Sequence, residues 1–427
     1  MTEEPDGREQ AFVETPFVAQ GEAVSVAPVL LAGPFRRVVL ANLFGSLAFW
    51  SAYGAVFWEA ANTYGADQGD MAVLGVALSI PFILGSLIQG LVVDRWSPKW
   101  LLVIGYTAMF AAIPVAWMAT SLPWLWASSF LVGGAFATIE PSRSALTGLL
   151  VPEDRLVAAN GAIATSFQLA IVVGSLGGAL LLDAWGPHTI YAFASVAAVV
   201  PLVVLLGLPD LRQRGERPSM SLADLKAGAR AAWHHPQLRI LLVLTTTGWT
   251  LINAFFILEP LFVKDVLGRS DAGLLFLWGT HGLGALAGAI AVTRSRGLRG
   301  REATLVCIGV ILVGGGIFAY VAFASYPIAL VASAVAGVGF ALFFPPLLAL
   351  IQRVIGEDQR GRVTGVFVAM QESAGLASSL TILVLGSLVA VRPTLVVSGL
   401  LIAAMGLVGL RAVAVEGREV RGDPTPT

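Results

Sequence analysis

Charge is scarce in this chain. Only 12% of its 427 residues are Asp, Glu, Lys or Arg while 56% are apolar, against roughly 25% charged and 45–50% apolar in an average soluble protein. That balance excludes an ordinary solvated surface and points to lipid as the surrounding medium. Cysteine occurs once, at Cys307 inside an apolar run, which excludes an internal disulfide and a cysteine metal site. No GxxxxGK[ST] phosphate loop is present, so the sequence offers no seat for ATP in a primary pump. The 26 basic and 27 acidic residues nearly cancel, and the basic ones form no stripe that could follow a phosphate backbone, which argues against a nucleic-acid partner. Neither a metal cluster nor a nucleophile–base pairing stands out, so no cofactor is expected and an enzyme is disfavoured.

What the chain does have is long apolar runs. Twelve stretches, 38–60, 71–93, 100–119, 123–145, 158–182, 189–208, 240–263, 272–293, 303–325, 327–352, 363–391 and 393–410, each match the roughly 20 residues a helix needs to cross a bilayer. An all-α membrane protein of twelve transmembrane helices in two pseudo-symmetric six-helix bundles is expected. The break at 209–239 separates a first bundle, 38–208, from a second, 240–410, with tails at 1–37 and 411–427. Thr2, Glu3 and Glu4 give the N-terminus the wrong charge for a cleaved signal, so the first span is expected to be retained. With both termini cytoplasmic, all but Lys264, Arg269 and Arg392 of the 26 basic residues fall on the cytoplasmic side, as the positive-inside rule requires. In the linker, Ser221 and Asp224 form a capping-box variant before a short amphipathic helix carrying Trp233 at the membrane surface.

The halves also repeat. A shift of 204 positions pairs Gly133 with Gly337, Phe136 with Phe340, Ala137 with Ala341, Pro141 with Pro345 and Gly161 with Gly365. Repeats of this kind form two rocking bundles with the substrate site between them. Trp58, Trp124, Trp126 and Trp185 near one set of span ends and Trp96, Trp100 and Trp233 near the other fit interfacial belts. Trp50, Trp249 and Trp278 lie deeper, where a ring packs helices or lines a cavity.

Between the second and third spans the chain reads Gly90-Leu-Val-Val-Asp94-Arg95-Trp-Ser-Pro-Lys99. This resembles the signature of the major facilitator superfamily, with Ser97 and Pro98 where the family usually has Gly and a basic residue. The resemblance implies a cytoplasmic latch of Gly90, Asp94, Arg95 and Lys99, in which the Asp accepts hydrogen bonds at a neighbouring helix N-terminus and Arg95 pairs with Glu153 or Asp154. Pro141–Gly161, Asp224–Arg239 and Gly361–Gly365 sharpen the resemblance toward the superfamily's drug and siderophore exporters, the group of the enterobactin and macrolide efflux proteins. Val173–Gly178 is similar to the antiporter motif of that group without its proline. The resemblance spans about residues 35–412 and implies a secondary transporter exporting a hydrophobic or amphiphilic small molecule by proton antiport, as a monomer in the cell inner membrane.

Six ionisable residues fall within the spans: Glu59, Glu140, Arg143, Glu259, His281 and Glu372. At membrane depth each must face water, pair or neutralise, so each is a candidate for proton coupling or substrate contact. Glu59 and Glu259 occupy matching places near outer span ends, within reach of water and headgroups. Glu140 and Arg143, three apart, meet on one helical face, and their repeat counterparts are Phe344 and Leu347; a structural ion pair and a coupling role are both open. Glu372, near mid-span, is the deepest carboxylate. Gln168, Asn253 and Gln371 add polar cavity candidates. Proton-coupled uptake of a nutrient, a non-transporting sensor and a membrane enzyme remain the alternatives to export. Asp94→Asn is expected to impair transport at normal membrane abundance; wild-type turnover in that variant removes the latch.

Overall fold

The computed structural model describes residues 33–92, 96–152, 155–211, 222–269, 272–294, 301–355 and 357–419. Among them are thirteen α-helices. Six form the first group: α1 (Phe35–Asn62), α2 (Gln68–Val92), α3 (Pro98–Trp117), α4 (Leu122–Leu150), α5 (Leu156–Trp185) and α6 (Pro187–Leu206). The linker contributes α7 (Leu222–His234). The second group is α8 (Pro236–Asp265), α9 (Gly273–Arg294), α10 (Glu302–Ala322), α11 (Tyr326–Val354), α12 (Glu357–Leu385) and α13 (Val391–Glu419).

Eleven of these helices are long and apolar enough to cross a membrane. The exception among the twelve expected spans is α12, which carries Gln371, Glu372, Ser373, Ser378, Ser379 and Thr381. It also starts and ends earlier than the expected 363–391, because a 3-10 turn at Gly386–Leu388 breaks it. Its packing explains its polarity: α12 lies against α2 and α8, so one flank meets protein rather than lipid. At the other end of the chain, α13 runs on to Glu419, past the expected tail boundary at 411, with Val413 packed against the core.

The repeat seen in the sequence is a repeat of helix contacts. In the first bundle a Cβ on Gly133 of α4 would fall on the Leu78 carbonyl of α2; in the second, a Cβ on Gly337 of α11 would fall on the His281 carbonyl of α9. Likewise Gly105 of α3 meets Ala135 and Ile139, and its counterpart Gly309 of α10 meets Gly339 and Phe343, all three residues displaced by the same 204. Gly85 against Ala137 and Gly288 against Ala341 make a third matched pair. Lipid provides no hydrophobic drive for helix association, so close backbone approach through small residues supplies the dispersion contacts instead.

The two ends of the molecule differ. On the side away from the linker, called distal below, the bundles are sealed to each other. Lys264 donates to the Ala61 carbonyl, Gln68 to the Val389 carbonyl and the Ala272 amide to Asp183. Gly75 of α2 faces Ser379 of α12, Gly54 of α1 receives Leu275 of α9, and Gly279 and Gly282 of α9 receive Leu176 and Val172 of α5. On the linker side, α7 packs against α12 and α8 with Ala232 buried, while Lys226, Arg230 and Trp233 are exposed. The expected cap at Ser221 lies outside the described residues. Trp96, Trp100, Trp124 and Trp185 are exposed at the helix ends, as belts at the two interfaces require.

The adjacent pair Gly133 and Gly134 tests the close-approach argument, since a Cβ at Gly134 meets nothing within 4 Å. Gly133→Ala is expected to lose on the order of 1–3 kcal/mol by overpacking, and Gly134→Ala to be neutral. Thermal denaturation of the two purified variants in detergent gives the comparison.

Candidate functional site

Between the bundles, near mid-membrane and toward the linker side, α1, α4 and α5 hold a polar network. Arg143 donates to both carboxylate oxygens of Glu140, one at 2.8 Å, and to Oδ1 of Asn42 at 2.6 Å. The same Asn42 donates through Nδ2 to the Ser166 hydroxyl at 2.8 Å and to the Ile163 carbonyl at 3.2 Å. The i,i+3 spacing on α4 brings Glu140 and Arg143 to one face, and Asn42 fixes the guanidinium against α1 and α5. Asn42 is 1% exposed whereas the Glu140 side chain is 40% exposed. The pair is therefore anchored at its arginine end and open at its carboxylate end. Sequence reasoning singled out Gln168, Asn253 and Gln371 but missed Asn42, although an asparagine inside an apolar span was the same signal.

Facing this network from the second bundle is Glu372, one residue past the midpoint of α12 and half-buried. Among the described residues its carboxylate has no hydrogen-bond partner, and the charge that acts on it is that of Glu140. One turn along α12, Gly375 lies 3.5 Å from Oδ1 of Asn253 on α8 and 3.8 Å from the Ser79 hydroxyl on α2, measured from the Cβ a side chain would have there. Asn253 itself donates to the Trp249 carbonyl at 2.8 Å, and the Trp249 ring meets Phe340 and Phe343 at 5.9 and 6.3 Å. Gln371 is buried, and its Nε2 has no partner. Gln168 of α5 donates across the bundle boundary to the Gly282 carbonyl at 3.2 Å. Gln168 thus bridges the bundles through Gly282, and Glu372 lies within electrostatic reach of Glu140 across the same boundary.

Glu59 and Glu259 correct the sequence expectation. Instead of meeting water and headgroups, they are 6% and 1% exposed. Each is satisfied inside its own bundle. The Tyr191 hydroxyl of α6 donates to Glu59 at 2.7 Å. The Tyr320 hydroxyl of α10 and the Trp278 indole N–H of α9 donate to Glu259 at 2.7 and 2.8 Å. The carboxylates match in the repeat, but their tyrosines come from non-equivalent helices, so neither partner could be found by aligning the halves. His281 packs edge-on against Phe256 and Phe340, at 6.3 and 6.1 Å, and lines a small cavity of about 30 Å³ with Glu259, Trp278 and Tyr320. Trp50 and Trp278 meet across the bundle boundary at 6.1 Å, and Trp278 is also a buried core residue that lines the cavity.

Of the latch residues, Gly90 lies within α2, and Asp94, Arg95 and their expected partners Glu153 and Asp154 lie outside the described residues. Lys99 is 7% exposed and donates to the Leu206 and Leu208 carbonyls at 3.1 and 2.6 Å. It caps the C-terminus of α6, where a cation complements the helix dipole. Gly174 lets α5 come within 3.3 Å of Trp50 and Ser51 on α1, and α5 continues through it unbroken.

The Major Facilitator Superfamily profile matches residues 38–379. A lysophospholipid transporter from Photorhabdus laumondii is 26% identical over 380 residues, covering 86% of this chain and 91% of the relative. The multidrug efflux pump Tap from Mycolicibacterium fortuitum is 24% identical over 324 residues, 72% of this chain and 78% of the pump. Among solved structures, the nucleoside transporter NupG superposes with a TM-score of 0.65 at 14% identity, over 90% of this chain and 99% of that one. A bacterial homologue of the human lysosomal transporter Spinster, inward-facing and unoccupied, gives 0.66 at 11% identity, over 92% and 98%. The last two likenesses concern the fold alone.

Removing either charge of the Glu140–Arg143 pair is expected to lower thermal stability, and removing both to restore part of the loss. Because Glu140 is 40% exposed, each single loss should lie nearer the roughly 1 kcal/mol of an open pair than the 3–5 kcal/mol of a buried one. Unchanged melting in all three variants, with transport abolished, assigns the pair to coupling instead.

Proposed function

The chain belongs to the Major Facilitator Superfamily, and on that premise we propose that it exports amphiphilic small molecules by alternating access in exchange for protons. It is a multi-pass membrane transporter of a small-molecule substrate, not an enzyme. The reading beyond that rests on one observation: near the middle of α12, Glu372 is a carboxylate without a hydrogen-bond partner among the described residues, within electrostatic reach of Glu140 of the other bundle. A charged carboxylate at that depth costs several kcal/mol unless water, a proton or a cation satisfies it. A proton and a cationic group on the substrate compete for the same oxygens, so loading one releases the other, and each crosses only when the bundles rock.

Amphiphiles are the favoured substrates because polar groups and aromatic rings share this space. Glu140, Arg143 and Glu372 offer both signs of charge, while Trp50, Trp249 and Phe340 offer apolar faces. Relatives named as lysophospholipid transporters and as a multidrug pump support an amphiphilic cargo, with a lysophospholipid one class and a lipophilic drug or siderophore-like molecule another. Orientation follows from the basic residues: the linker side, with both tails and α7, faces the cytoplasm of an inner membrane. Gly90, Asp94 and Arg95 then serve as the cytoplasmic latch between α2 and α3. A single chain carries both bundles and suffices as a monomer. Uptake by the same coupling is the second reading, since a distally sealed state loads from the linker side in export and releases there in uptake.

Glu372→Gln keeps volume and hydrogen-bonding capacity and removes the exchangeable proton. In proteoliposomes it is expected to lose at least about tenfold of the transport driven by a pH gradient, or about 1.4 kcal/mol of coupling by the tenfold rule, and to retain downhill exchange. A fluorescent lysophospholipid and a lipophilic cation, assayed in parallel, distinguish the two cargo classes. Full gradient stimulation in the variant removes Glu372 as the coupling acid and passes the role to Glu140 or His281.

A further inference from the structure

Apart from Trp50, the distal seal contains a set of side chains that the transport reading leaves unused. Trp278 of α9 is 4% exposed and stacks on Tyr53 of α1 with centroids 5.6 Å apart and planes at 26°. It also meets Trp50 edge-on at 6.1 Å. These are contacts between bundles, and Gly54, next to Tyr53, admits Leu275 one turn before Trp278. The back of Trp278 is held from its own bundle: its indole N–H donates to one oxygen of Glu259, whose other oxygen accepts from Tyr320.

Behind each ring of the stack lies only a small cavity. Tyr53 lines one of about 20 Å³ among α1, α2, α3 and α4. Trp278 lines one of about 30 Å³ among α8, α9, α10 and α11. Each is on the scale of a single water, so Trp278 is packed into its own bundle and the hydrogen bond to Glu259 fixes the orientation of its ring. The repeat counterpart Glu59 is tied to Tyr191 of the same bundle and holds no ring at the boundary, so the restraint exists in one bundle only.

We propose that Glu259 is the positioning residue of the distal gate: as a hydrogen-bond acceptor it holds Trp278 in the stack with Tyr53 that closes the passage between the bundles. This deepens the alternating-access reading and rests on it. Distal opening requires Trp278 to part from Tyr53. The role needs an acceptor at position 259, and it needs no exchangeable proton there.

That distinction decides the test. In Glu259→Gln the amide oxygen still accepts from Trp278 and the amide N–H donates to the Tyr320 hydroxyl oxygen, so the restraint survives. In Glu259→Leu both donors lose their acceptor. Nitroxide labels introduced through Met118→Cys and Phe323→Cys, in a Cys307→Ala background, report the distance across the distal ends; both positions are exposed, at 71% and 62%. Measured by pulsed electron spin resonance without substrate or gradient, Glu259→Leu is expected to raise the long-distance population at least threefold, while Glu259→Gln keeps the native distribution. Transport should fall below a tenth in the first and stay above half in the second. If Glu259→Leu does not fold, Trp278→Phe, which keeps a ring and removes the donor, is expected to shift the same distribution. A native distribution in either of these two variants overturns the proposal. So does loss of transport in Glu259→Gln at native distances, which makes Glu259 a proton carrier. Because the distances are read without cargo, they stand even if the choice of substrate or of Glu372 fails.

Discussion

Helices that share a lipid solvent have little reason to associate unless their backbones can touch, and contact through glycine is the constraint on which both bundles are built. Gly133 and Gly337 each admit a carbonyl of the neighbouring helix where any side chain would collide. Gly105 with Gly309 and Gly85 with Gly288 repeat the arrangement. These contacts fix α2, α3 and α4 against one another and α9, α10 and α11 likewise. The seam between the bundles uses glycines too, at 54, 75, 279 and 282, but there they receive side chains such as Leu275 and Val172 rather than backbone. A seam closed by side chains can part without breaking the internal packing of either half, which rocking requires.

Polar chemistry is placed off the repeat. Glu140 and Arg143 correspond to Phe344 and Leu347, and Phe344 instead stacks on Phe340 at 6.1 Å. Glu372 and Asn253 sit in the second bundle, Asn42 and Ser166 in the first. The two halves thus share a scaffold and divide the charges, so that opposing surfaces carry different groups. Such asymmetry lets a substrate lie across the boundary in one orientation.

The fold was readable because it depends on pattern: apolar length set the spans, and the 204-residue shift turned out to carry the contacts of Gly105 with Ala135 and Ile139 onto those of Gly309 with Gly339 and Phe343. The span that strayed was α12, whose polar residues are explained only by the neighbours α2 and α8. The site was partly readable. Ionisable residues inside spans drew attention to Glu140, Arg143 and Glu372, and depth alone singled out the last. Depth misplaced Glu59 and Glu259, because distance from a helix end says nothing about which tyrosine of another helix covers the carboxylate. Asn42, Tyr53, Tyr191 and Tyr320 carry no charge and were invisible to a search for charge, although three of them satisfy an ion and the fourth stacks across the boundary.

Lys99 gives the α3–α6 packing a character of its own. Its ammonium joins the start of α3 to the carbonyls that end α6, and α6 is the last helix before the linker. The start of α3 and the end of α6 are therefore riveted at one point, so a tilt of either helix carries the other with it and the two behave as one lever on the linker side of the first bundle.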